Sequence, residues 1–407
     1  MGSAAAARAA LDGRRVALVE ASTFGHESGS SHGESRIIRR TYPSTLYTAL
    51  MQRVYPMWTV LEAAAGEQIY TRTGGVDIVR VGSTAAESLL KACDVVGVDV
   101  RVLTSEETRA RLGFTLGHDQ VAVEQEDTGT LNASAGVAAM QRVAVQYGAR
   151  LTDNFKVEKL HDRIASDELV EAVSVDGRRV RARSVVIAVG PWATSFLRAT
   201  LGINIKLSVV QVSYAYYRAA SEVDDTRLRS LGVFIDYGSG AVPWTSTPQQ
   251  HATSQDAIAL PDSGDPCVYS CPSSRLGHDG RALIKIGLHA GVVTTAEGRS
   301  FIADVEKTVV PVQRWIKSHA PFLDPEPEPG SITTCLYTMT HNEDFVIDVA
   351  RPRVVIAAGF SGHGFKFAPW VGHVCVALAT GAPLSSEDTD TLRAFSLNHQ
   401  QMDSEGS

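Results

Sequence analysis

Lys285 stands in Leu283-Ile-Lys-Ile-Gly-Leu-His289, a lysine in an otherwise apolar strand pattern. Strand alternation could simply turn it to solvent. In a dry site it would do chemistry: a fixed positive charge stabilises an anion developing beside it, as when dioxygen takes its first electron. His289 lies four residues on, hence on the same strand face. A second group is SSHGESRIIRR (30–40), which carries His32, Arg36, Arg39 and Arg40, with Arg53 nearby. Clustered arginines are commonly a solvated face, and Arg40 is read that way. Ile37 and Ile38, between Arg36 and Arg39, point instead to partial burial. A buried guanidinium needs an anion, and its planar fork suits a carboxylate. Cys335, in Cys-Leu-Tyr-Thr, would by itself be an ordinary buried thiol. Glu20 closes an apolar run, where nucleotide-binding folds use an acid on the ribose hydroxyls. A strand-end carboxylate in water is the plainer alternative.

These residues need elements to hold them. Residues 3–11 form an alanine-rich helix, Gly13 falls where a helix C-cap belongs, and 16–19 make a short buried strand ending at Glu20. Together they are the back half of a dinucleotide-binding βαβ unit. GTLNASAG (129–136) leads into a helix over 135–147, with a strand near 150–160. Residues 169–175 and 180–183 flank an Asp176-Gly177 hairpin turn. SVVIAV (184–189) and VVIAA (354–358) are continuous apolar strands of the buried parallel type. The second enters GFSGHGFKF (359–367), whose glycines allow close backbone approach to a ligand, and then a helix over 369–379 opened by Pro369. Residues 207–217 and 282–289 read as strands of a mixed sheet, 244–266 as an exposed loop, and the tail after 398 as frayed. The fold class is α/β (α+β). A nucleotide-binding layer of discontinuous segments (1–70, 129–204 and 332–398) alternates with a mixed-sheet substrate region (71–128 and 205–331), and 399–407 form a tail.

At 407 residues the chain suggests two to three domain-sized units. A net charge of −7 gives no basic footprint for nucleic acid, and no apolar run approaches the roughly 20 residues of a membrane helix. Five scattered cysteines argue for a reducing, intracellular compartment, with the cytoplasm favoured. Cys267 and Cys271 lack a second ligand pair at metal spacing, so no metal is expected. Met1-Gly2 lacks the Ser or Thr of a myristoylation signal at position 6, and the C-terminal Ser404-Glu405-Gly406-Ser407 is not a peroxisomal address.

Three motifs in register, SSHGESRIIRR, Leu283–His289, and Cys335-Leu-Tyr-Thr followed by AAGFSGHGFKF (357–367), closely resemble the monomeric sarcosine oxidase and pipecolate oxidase family. The likeness runs from Gly2 to about Phe395. It implies an FAD-dependent amine oxidase whose substrate is a small secondary or cyclic amino acid such as sarcosine, another N-methyl amino acid or pipecolate. Hydride transfer to flavin would give an imine that hydrolyses, and O2 would be reduced to H2O2. The resemblance places Lys285 as the oxygen-activating cation, Arg36 and His32 beside the flavin, and His289 at the substrate. Arg39 and Lys366 would clamp the substrate carboxylate, with Tyr269 and Tyr337 lining the pocket. Cys335 would form a thioether to the flavin. Gly2, Glu20, Gly359, Ser361, Gly362, Gly364 and Lys366 would contact FAD. Cys271 replaces an aromatic of sarcosine oxidase and would widen the pocket. A monomer is implied.

Gly2 aligns with the third glycine of G-x-G-x-x-G, so the first strand and first two glycines, about ten residues, are expected to be missing. An upstream translation start is preferred to a genuinely shortened product, because every other motif agrees with a working site. Two further readings stay open: a flavin-free remnant with a binding or regulatory role, and a dehydrogenase passing electrons to a protein acceptor. Lys285 argues against the latter.

Overall fold

The computed structural model describes residues 1–161, 169–238 and 266–402, with no side-chain account from 400 onward. The loop expected over 244–266 lies almost wholly outside the described residues. Apolar continuity was a sound guide to parallel strands: Val185–Ile187 pairs in parallel with Val354–Ala358, which is buried throughout. Ala17–Val19 also pairs in parallel, with Arg150–Thr152, but it is exposed to half-buried and not the buried strand expected over 16–19. The predicted 150–160 strand is two strands, Arg150–Thr152 and Val157–His161. The second joins the Val170–Ser174/Arg179–Ala182 hairpin at the predicted Asp176-Gly177 turn. Among the described residues the two parallel pairs form separate ladders. Gly2 lies between them, where an added Cβ would sit 3.6 Å from Leu18 and 3.9 Å from Ala188.

The first helix, Gly2–Leu11, uses its alanines for more than propensity. Ala4, Ala5, Ala6, Ala7 and Ala10 are all buried, because the helix packs against both Ala133–Gln146 and Ala368–Thr380. The second crossing is so close that a Cβ on Gly372 would stand 2.7 Å from the backbone of Ala4. Small residues on both helices are what permit it.

The rest of the molecule is organised by a mixed nine-stranded sheet among the described residues. Its long Ser208–Arg218 strand pairs antiparallel with both Ala282–Leu288 and Thr333–Met339, aligning Tyr216 with Lys285 and Val212 with Cys335. Val268–Leu276 flanks Lys285 on the other side through Cys271. Gly75–Arg80 joins through a parallel pairing with Val233–Asp236, which sets Asp77 beside Ile235. The last described helix, Leu397–Met402, covers the start of the tail expected to be frayed over 399–407; residues 403–407 lie outside the described residues.

Arg40, read as a solvated face, is tied down, and so is Arg53, nearby in sequence. Arg40 pairs with Asp127 at 3.0 Å and lies 4.2 Å from the Tyr55 ring centroid. Arg53 bonds Asp388, a buried carboxylate that also accepts from Trp370 Nε1 at 2.6 Å. Asp388→Ala is expected to cost about 2–3 kcal/mol. That is below the usual 3–5 for breaking a buried pair, because Arg53 keeps 27% side-chain exposure and can be solvated. A urea melt of the variant against the parent protein measures it.

Candidate active site

The sheet and the parallel strands meet around a cavity of about 990 Å3, at the upper end of ordinary ligand sites. Its lining includes Gly2, Glu20 and residues of the Leu18 and Val186 strands, and also His289, Tyr269, Arg39 and Lys366. Every residue proposed from sequence for catalysis, substrate or cofactor lines it.

The 30–40 segment turns from loop to strand at Arg36–Ile38. Arg36 spends its guanidinium on its own loop, donating to the carbonyls of Ser35 (2.8 Å), Ser30 (3.0 Å) and His32 (2.6 Å). It therefore shapes the loop that carries His32. Burial, then the Arg36 charge, lowers the His32 imidazole to a pKa of about 4, so the ring is neutral at pH 7. Its Nε2 is buried and has no hydrogen-bond partner among the described residues, a polar edge that calls for a ligand.

Lys285 is buried, not solvent-facing. Its Nζ donates to Ser35 O at 2.8 Å and lies 4.9 Å from the Tyr214 ring centroid. Burial pulls its pKa below the ordinary lysine value. Cys335 and Tyr337 lie two residues apart on one strand face, and both line the cavity. The Tyr337 side chain hydrogen-bonds that of Tyr269. His289 is 5.6 Å from the Tyr337 ring, centroid to centroid, and its Nε2 is 3.4 Å from Glu343, a half-buried acid held at φ +62°.

Arg39 is 2% exposed and already has an anion: Asp77, to which it donates, with Tyr237 Oη as a second acceptor at 2.7 Å. Asp77 also accepts from Thr41 Oγ1 at 2.5 Å. Burial alone would weaken the hold of Arg39 on its proton; Asp77, Tyr237 and Tyr42 together outweigh it, and the net direction is upward. Lys366 is buried too, with Nζ donating to Tyr42 Oη at 2.7 Å and to His363 O at 3.0 Å. Burial, then Arg39, pulls it well below the ordinary lysine value. Tyr42 links the two cations, since the Arg39 guanidinium stands 4.7 Å from its ring centroid. Asp77, Tyr237, Tyr42 and Glu343 were absent from the sequence reading. An acid inside the apolar run Val76-Asp77-Ile78-Val79 was the available signal.

The glycine loop also serves the chain's own packing. Gly359 and Gly362 take left-handed conformations (φ +63° and +76°), as does Ser361 at +45°. A Cβ on Gly362 would meet the Tyr337 ring at 2.5 Å, and one on Gly364 would meet Phe360 at 2.5 Å. These glycines make room for the chain's own side chains as well as presenting a loop to the cavity.

A cavity lined by parallel strands, a helix N-terminus and a cluster of buried cations is the layout of a nucleotide-cofactor oxidoreductase. The chain matches the family described as FAD dependent oxidoreductase (DAO) over residues 1–378 and belongs to that family. The protein "Peroxisomal sarcosine oxidase" of Homo sapiens is 29% identical over 376 residues, 90% of this chain and 86% of that protein. "N-methyl-L-tryptophan oxidase" of Yersinia pestis (strain Pestoides F) is 24% identical over 409 residues, covering 98% and 96%. The solved structure of NikD, "an unusual amino acid oxidase essential for nikkomycin biosynthesis", shares the fold with a TM-score of 0.73 at 22% identity, over 96% of this chain and 93% of that one. The protein is thus an FAD-dependent oxidoreductase of mixed α/β architecture.

The residues present fit that cofactor. The orphaned His32 Nε2 offers a hydrogen bond inside the cavity, and the Gly2–Leu11 helix begins at its wall, where backbone N–H groups suit a phosphate. Glu20, at the end of its strand, already accepts from Ser22 N at 2.9 Å and pairs with His26 at 3.4 Å. That fixes its carboxylate at the cavity edge.

Proposed function

We propose that this protein is an oxidase of small secondary or cyclic amino acids, of the sarcosine, N-methyl amino acid or pipecolate type, with O2 as electron acceptor. The observation that carries the reading is the convergence, on one buried cavity, of the Arg39–Lys366 pair, Lys285 and Cys335. FAD, when bound, would supply the redox chemistry, acceptance of a hydride from the carbon next to the amine nitrogen with O2 as the final acceptor and H2O2 as its product.

The chain's own residues do the rest. Arg39 and Lys366 hold the substrate carboxylate, a charge-assisted contact made inside the protein where it is strong. Tyr269 and Tyr337 wall the pocket, and His289 with Glu343 borders the amine end. Cys271, buried beside Tyr269, leaves more room than an aromatic residue would, which suits substrates larger than sarcosine. Lys285 holds positive charge where oxygen is reduced. Cys335 is the thiol that would link covalently to the flavin. Residues 1–70, 129–204 and 332–398 form the cofactor-binding half in this reading, with 71–128 and 205–331 around the substrate.

The test is a visible spectrum of the purified chain before and after acid precipitation, followed by peroxide assay with sarcosine and pipecolate. Yellow colour in the pellet with amine-dependent peroxide supports the reading. A colourless protein, or one that reduces dye with amine but makes no peroxide, counts against it. Cys335→Ser is expected to move the colour from pellet to supernatant; colour that stays in the pellet would place the linkage on another residue.

A further inference from the structure

Asp77 does not line the cavity; it stands behind Arg39, which does. It is 3% exposed on the Gly75–Arg80 strand, among Val76, Ile78 and Val79. Its two carboxylate oxygens are separately engaged, Oδ1 by Arg39 and Oδ2 by Thr41. A buried carboxylate in that position has two consequences. It aims the guanidinium, whose planar fork has directional donors. It also takes up the charge of Arg39, so that among the described residues Lys366, joined to Arg39 through Tyr42, is the one cation left to meet a carboxylate in this part of the cavity.

We propose that Asp77 is a specificity-determining residue: it holds the carboxylate end of the cavity to one net positive charge and so selects substrates bearing a single carboxylate over dicarboxylic amines. This rests on the proposed carboxylate clamp by Arg39 and Lys366. With one charge the site neutralises one carboxylate. A second carboxylate drawn into the same buried space would have to shed its water with no cation left to meet it. Without Asp77 the same two side chains would carry two charges, and dianions would be favoured instead.

The test compares two ligands of nearly equal size that differ by one charge, malonate and its monoamide malonamate. Each is titrated by calorimetry into the flavin-loaded protein and into its D77N and D77E variants. The parent protein is expected to bind malonamate about tenfold or more tighter than malonate, and D77N to shift the malonate-to-malonamate ratio by about tenfold or more toward malonate. D77E keeps the charge and should keep the parent's preference. Equal binding of the two ligands by the parent overturns the proposal without any variant having to fold, as does a D77N ratio matching the parent's. If neither ligand binds, the carboxylate clamp itself is wrong. If malonamate binds but charge selection is absent, the clamp stands and the role given to Asp77 fails. A purely structural Asp77 would alter stability and leave the ratio where it was.

Discussion

Lys285→Met is expected to lower oxygen-dependent turnover by about 10²–10³-fold, the usual cost of removing one preorganised charge from a developing anion. Turnover with an artificial electron dye should stay within about threefold. The structure makes this separation sharp. Lys285 is held by Ser35 O and the Tyr214 face, at a distinct place from the Arg39–Asp77–Tyr42–Lys366 cluster that would grip the substrate. Methionine fills similar volume in the buried strand, so the sheet keeps its packing. Oxygen consumption and dye reduction, measured side by side on both proteins, check it. Equal losses in the two assays would assign Lys285 to substrate oxidation or to folding instead. The pH dependence has a fixed sign. Burial lowers the Lys285 pKa, so the charge is present at low pH, and the oxygen step of the parent protein should weaken as pH rises through that lowered value. The methionine variant should lack this limb.

What the sequence disclosed and what it withheld divide along contact range. The Val354–Ala358 strand carries the bounds predicted for it, because five consecutive apolar residues are a local signal. Gly2–Leu11 is the predicted helix with one residue added, since alanine content is local too. Lys285 was recognisable because its neighbours in the chain are apolar. Asp77 obeys the same rule, an acid in an apolar run, yet its meaning depends on Arg39, 38 residues earlier, and Tyr237, 198 residues beyond Arg39. The parallel pairing of Gly75–Arg80 with Val233–Asp236 brings Asp77 to Tyr237, and Arg39 arrives separately, just past the Arg36–Ile38 strand that pairs with Gly129–Leu131. The glycine loop shows the same limit. Its glycines were legible as places of close approach, but that Tyr337 and Phe360 make the approach follows from strand pairing and turn geometry that local pattern does not encode. Arg36 was legible as partly buried and not as the brace of its own loop, because carbonyl acceptors leave no mark in sequence.

Arg39→Met should fail in two separable ways. Asp77 would then be a buried carboxylate without its cation, and breaking such a pair costs about 3–5 kcal/mol of stability. Burial is the largest influence on Asp77 and pushes its pKa upward, while Arg39 is the largest pull downward. With Arg39 gone, the folded variant retains a proton on Asp77 that the unfolded chain releases. Its stability should therefore fall as pH rises from the ordinary carboxylate range to that raised value, and the deficit against the parent should shrink in acid. The second failure is in binding. Loss of one charge-assisted contact, worth about 1.5–3 kcal/mol, raises the KM for an amino-acid substrate by about 10–100-fold. The double variant Arg39→Met/Asp77→Leu separates the two, since it removes the stranded charge and replaces the pair with apolar groups, a change that buried pairs commonly tolerate. Urea melts should show the double variant recovering most of the stability lost by the single one, while KM stays high in both. Recovery of stability and KM together would mean that Arg39 answers only to Asp77 and that the substrate carboxylate is held elsewhere. Recovery of neither would mean that Arg39 also supports the fold through Tyr42 and Tyr237, whose rings it faces at 4.7 and 5.7 Å.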